Sequence, residues 1–138
     1  MCLSKAILIN PKKDITCYKI CREMESLTGK CYYVSPFMGY VYELGKLATN
    51  KGKYVNVYDD SDGRFLITSN AFHSFKTLKG AQGMMKEMLP KNFHYKIVKC
   101  IIPKESNFVY EGMFNVYKGK KYTSYASQHL LPVCVVES

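Results

Sequence analysis

Two lysines stand inside apolar runs: Lys19 in ITCYKICRE and Lys99 in YKIVKCII. An ammonium in such a run must be paired, neutralised or turned toward a ligand. Either lysine faces a ligand cleft, or its stem packs on a sheet face with the charged head in water. A third candidate is His73 in AFHSFKT, beside Ser74 and four residues before Thr77. If a helix starts there, its free N–H groups and dipole favour an anion to which His73 can donate. The competing reading is a partly buried histidine bonded to backbone. His94 and His129 have no carboxylate or nucleophile near them in sequence.

Six cysteines, Cys2, Cys17, Cys21, Cys31, Cys100 and Cys134, offer thiol or metal chemistry. Cys17 and Cys21 lie four residues apart on one predicted strand, about 13 Å, too far for a disulfide. No C-x-x-C or H-x-x-x-H pair supplies further zinc ligands. Buried, reduced thiols are the expectation, with no metal and no cofactor. Cys2 would be N-terminal after removal of Met1, the arrangement of N-terminal nucleophile enzymes, although 138 residues are few for their layered fold. Asp59-Asp60-Ser61-Asp62-Gly63 superficially resembles a calcium loop but lacks the spacing and the final glutamate, so it reads as a turn.

The net charge of +9 favours anionic partners. Only Arg22 and Arg64 are arginines, and the remaining 18 of the 20 basic residues are lysines spread along the chain. Sequence-specific reading of nucleic acid leans on arginine's bidentate fork, so it is not expected here. Twelve tyrosines and no tryptophan allow Tyr32, Tyr33, Tyr40, Tyr42, Tyr54 and Tyr58 to form a stacking surface for bases beside lysines. The same residues serve equally as cross-strand packing.

The elements that position these groups follow from pattern. Ile15–Glu23 reads as a strand, Ser26–Lys30 as a turn, and Cys31–Val34 as the returning strand of a hairpin. Lys5–Asn10, Tyr54–Tyr58, Phe65–Thr68, Phe108–Tyr117, Tyr122–Ala126 and Leu130–Val136 are further strands, with Pro132 marking an edge or a bulge, and Tyr40–Leu44 is a short aromatic run that ends at Gly45. Leu78, Ala81, Met84, Met85, Met88 and Leu89 recur at helical spacing, Thr77 can cap the first turn, and Pro90 ends it. Ile97–Ile102 is apolar on both faces except for Lys99, which suits a central strand covered on both sides. The chain therefore predicts a single α+β domain: a mostly antiparallel, curved sheet of eight or nine strands with one main helix packed on it. The longest apolar run near the N-terminus is Ala6–Ile9, shorter than the roughly 7–15 residues of a signal-peptide core. No run reaches the ~20 residues of a membrane span. Both point to a cytoplasmic protein without a membrane partner.

MCLS at the start, CYK at Cys17–Lys19, SPF at Ser35–Phe37, YELGK at Tyr42–Lys46, FHSF at Phe72–Phe75, CIIP at Cys100–Pro103 and YAS at Tyr125–Ser127 recur in one order. In that order the chain resembles a group of short proteins encoded by gut bacteria and their tailed phages. The resemblance implies a compact accessory protein of phage or mobile-element type, working in the host cytoplasm, and it brings no catalytic residues. A more distant likeness, of architecture only, is to ADP-ribosyltransferase-type folds. It rests on the aromatic-plus-basic pair Tyr18-Lys19, on Ser35 at a strand–loop junction, and on a split sheet with little helix. It implies a cleft near Tyr18, Lys19, Ser35, His73 and Glu111, with Glu111 as the late glutamate, although the local motif around that glutamate is missing. The leading expectation is a binding protein for an anionic, nucleotide-like ligand at those five residues. An ADP-ribosyltransferase-like enzyme and a virion-associated or host-interaction protein with a protein partner are the alternatives.

Overall fold

The strand ITCYKICREME alternates as a strand with cover on both sides should. Cys17, Lys19 and Cys21 turn to one face and are buried, while Tyr18 and Ile20 turn to the other. The computed structural model describes residues 2–36, 40–50, 56–60, 63–67, 71–88, 94–115 and 120–137. The strands are β1 (Cys2–Ile9), β2 (Ile15–Glu25), β3 (Cys31–Val34), β4 (Val41–Tyr42), β5 (Ala48–Thr49), β6 (Asn56–Asp60), β7 (Gly63–Ile67), β8 (Phe72–Phe75), β9 (Tyr95–Ile102), β10 (Val109–Asn115), β11 (Lys121–Ser127) and β12 (His129–Glu137). One helix, α1 (Leu78–Met88), stands between β8 and β9. The sheet runs β5-β12-β9-β2-β8-β11-β10-β1-β7-β6, with β3 and β4 branching from β2. Its described pairings are antiparallel. This is an α+β fold built on a mostly antiparallel sheet.

Two buried clusters lie on opposite faces. On one, Ala81 and Met84 of α1 join Ile20, Phe75, Ile97, Phe114 and Ala126. On the other, Cys17, Cys21, Phe72, Val98, Cys100, Ile102, Tyr125 and Leu130 come together. β9 lies between β2 and β12 and contributes to both clusters, as expected of a central strand. Full burial of a side chain such as Met84 is worth roughly 1.5–3 kcal/mol.

The local signals act as their chemistry dictates. The Thr77 hydroxyl accepts the Gly80 N–H at 3.0 Å and so caps α1. Ser26 and Lys30 close the β2–β3 turn through the Ser26 N–H and the Lys30 carbonyl, with Gly29 at φ 84°. The register of β12 on β9 shifts between Pro132 and Cys134, the bulge that the proline predicted.

Several expectations need correcting. Twelve strands occur among the described residues, against the eight or nine expected, because β8 and the two-residue β4 and β5 carry too little local pattern. All four residues of FHSF are buried, which hides any alternation. The N-terminal strand begins at Cys2 instead of Lys5, and the aromatic run Tyr40–Leu44 pairs only at Val41–Tyr42. Asp59 and Asp60 belong to β6, paired with Arg64 and Gly63 of β7. Ser61, Asp62, Leu89 and Pro90 lie outside the described residues, as do Phe37 and Tyr54. Among the described residues, no helix is long and apolar enough to cross a membrane.

Candidate functional site

β2 carries a notch. One edge pairs with β9 continuously from Ile15 to Arg22. The other edge is shared: Tyr18 pairs with Phe75 of β8, and Arg22–Glu25 pair with β3. Between these two ladders, Lys19 and Ile20 line a gap together with Ser35 and Pro36, which follow β3, and with His73 of β8. A cavity of about 20 Å³ lies there, lined by Lys19, Ile20, Ser35, Pro36, His73, Phe75 and Met84.

The polar groups at this notch are deeply placed. Lys19, Ser35 and His73 are each only 6% exposed. The Lys19 ammonium donates to the main-chain oxygen of His73 at 2.5 Å and stands 5.5 Å from the centre of the Tyr42 ring, within cation–π range. Burial pushes its pKa down, and the thiols of Cys21, Cys100 and Cys17 push weakly the other way. Lys19 therefore neither holds its head in water nor lies near a carboxylate among the described residues.

His73 sits in β8, opposite Ala126, and not at the start of α1 as its spacing suggested. Its ring lies 4.9 Å from that of Phe75 and 5.1 Å from that of Phe114. Burial, and then the charge of Lys19, hold its pKa well below 6.5, so the imidazole is neutral. Its Nε2 has no hydrogen-bond partner. The nearby thiols are equally quiet. Burial pushes Cys17 and Cys21 up to about 12 and raises Cys100 as well, so none is a thiolate nucleophile at neutral pH. Ser74 is fully buried, and its polar neighbour is the Cys17 thiol.

The notch gathers three of the five residues singled out from sequence: Lys19, Ser35 and His73. Tyr18 instead packs, partly buried, against the helix-side cluster. Glu111 lies on β10 with Lys76 at 3.6 Å. It opens onto a separate cleft of about 740 Å³ shared with Lys12, Lys13, Asp14 and Tyr125. In that cleft the carboxylates of Asp14 and Glu111 offset the two lysines. Lys99 is half-buried on β9. His129 contacts the Thr49 hydroxyl through Nδ1 at 3.0 Å, and His94 is exposed.

The notch cavity admits a body of about the size of one water molecule. A nucleotide does not fit there. A larger groove lies between β4 and β5. It measures about 250 Å³ and is lined by Tyr32, Tyr40, Tyr42, Glu43, Lys46 and Leu47, among others. Tyr40 packs tilted against Tyr42 at 4.8 Å and edge-to-ring against Phe72 at 4.9 Å, yet remains 39% exposed. Glu43 is ion-paired with Lys30, which keeps its carboxyl below the ordinary range. Lys46 is exposed at the groove's wall. The sequence left these tyrosines open between a stacking surface and cross-strand packing, and it named Lys46 only as the end of the Tyr42–Lys46 motif. The chain turns just before Lys46 at Gly45, which has φ 80°. Tyr33 of that set is buried.

The expectation of buried thiols holds for Cys17, Cys21 and Cys100, but Cys31 and Cys134 are exposed. They end up outside because Cys31 opens the short strand β3 and Cys134 follows the bulge in β12. The side chain of Cys2 lies outside the described residues. No group of three or more His, Cys, Asp or Glu among the described residues is placed to hold a metal ion.

No family model, no curated protein and no solved structure matches this chain.

Proposed function

We propose that the protein is a small accessory factor of phage or mobile-element type that binds an anionic, nucleotide-like ligand in the cytoplasm. The ligand half of this reading rests on one observation: three tyrosines and Lys46 line the same groove between β4 and β5. A base stacked on the exposed Tyr40 ring gains about 1–3 kcal/mol, and Lys46, which lines the same groove, can meet a phosphate. The accessory, phage-type half rests on the order of the sequence motifs. The sheet is taken as curved in this reading. β11 and β12, joined only through Gln128, pair with β8 and β9 at opposite ends of the run β12-β9-β2-β8-β11.

Calorimetry with ATP and with uncharged adenosine tests the reading. Tyr40→Ala should weaken both ligands by roughly 5- to 150-fold, the stacking energy converted to affinity. Lys46→Ala should weaken ATP alone and flatten its salt dependence. No binding of either ligand at millimolar concentration would remove the nucleotide reading. Release of nicotinamide from NAD would favour the transferase-like alternative, and neither result would favour a protein partner.

A further inference from the structure

The notch in β2 poses a charge problem that the tyrosine groove does not address. Among the described residues Lys19 is buried without a carboxylate, and its partners there are a carbonyl oxygen and the face of an aromatic ring. Both partners favour an ammonium over a neutral amine, yet each supplies only partial negative charge. A buried charge without a full counter-charge is costly. Beside it lies a cavity with room for one small body, about 20 Å³.

We propose that this notch is a monatomic anion site, occupied in the cell by chloride, which serves as the counter-ion of Lys19. The lining supplies donors and no carboxylate. Lys19 Nζ spends one proton on the His73 carbonyl and keeps two. Ser35, 6% exposed, lines the cavity and carries a hydroxyl that can donate. His73 Nε2, buried and without a partner, becomes a donor to the ion in its Nε2–H tautomer. Ile20, Pro36, Phe75 and Met84 complete the wall. The space they leave, about 20 Å³, matches a halide more closely than it does phosphate, sulfate or a nucleotide. A halide is little larger than a water molecule, so it suits that space better than an oxyanion.

The site makes the structural role of Lys19 conditional on the ion. Thermal unfolding in sodium chloride and in sodium gluconate at equal ionic strength reads this directly. Above the dissociation constant, each tenfold rise in chloride should raise the Tm by about 3–6 °C, while gluconate, too large for the cavity, gives no such steps. Lys19→Met, an uncharged side chain of similar length, should fold and show the same Tm in both salts. A crystal soaked in bromide should show an anomalous peak within hydrogen-bond distance of Lys19 Nζ. Equal Tm values in the two salts for the native chain, or a chloride response that persists in Lys19→Met, would overturn the site. If Lys19→Met does not fold, the bromide map decides: a water in the notch in place of the halide refutes it.

Discussion

Lys19 Nζ donates to the main-chain oxygen of His73 across a sequence separation of 54 residues, at the point where the pairing of β2 with β8 stops. The bond spans the notch that an ordinary ladder would have closed with backbone. It also places a cation beside a neutral imidazole, so the protonation of each acts on the other.

The pH dependence of stability follows with a definite sign. His73 has a depressed pKa when folded, so its contribution is complete above pH 6.5 and is lost as pH falls toward the folded value. Lys19, also depressed, favours the folded state increasingly as pH rises toward 10.5. Cys17, Cys21 and Cys100 act oppositely, because the unfolded chain releases their protons near 9.0 while the fold retains them. Three thiols outweigh one lysine at about 1.4 kcal/mol per pH unit for each proton. The urea midpoint should therefore be highest between about pH 6.5 and pH 9, its limits set by the unfolded values, and should fall on both sides. A midpoint that keeps rising through pH 10 would contradict this.

Gly83 of α1 faces the ring of Tyr122, so a Cβ at that position would meet the Tyr122 hydroxyl and ring carbons. Gly83→Ala should destabilise the native chain despite a helix-propensity gain of about 1 kcal/mol. In a Tyr122→Ala background the same change should stabilise. A double-mutant cycle by chemical denaturation measures the coupling, and simple additivity would show that the two residues do not touch.

Met84 is fully buried on the inward face of α1, whereas Met85 is only partly buried. Met84→Ala should cost about 2–5 kcal/mol, and Met85→Ala distinctly less. Equal losses in urea denaturation would mean that the helix is rotated from the orientation described.

Thiol labelling should divide the cysteines. In a Cys2→Ser background, Cys31 and Cys134 should react promptly, and Cys17, Cys21 and Cys100 only on unfolding. Prompt labelling of more than two thiols in the native state would contradict the burial of the strand β2 and β9 cysteines.

The local alternation of the amino acids was enough to determine the β2–β3 hairpin, the two-faced strand β9, the Thr77 cap of α1 and the irregularity at Pro132. Each depends on residues within a few positions of one another, where turn chemistry, capping and alternation act directly on the backbone. The same local information singled out Tyr32, Tyr40 and Tyr42 as candidates for base stacking or for cross-strand packing, and Lys19 as an unusual lysine. Tertiary structure alone decided that FHSF is a strand between β2 and β11, because burial on both faces removes the alternation that identifies a strand. It also decided that Lys19 is inside and that Glu111 opens onto a different cleft from His73. Those placements depend on which strands pair across long stretches of chain, and pairing is settled by how two faces of one sheet bury their apolar side chains together.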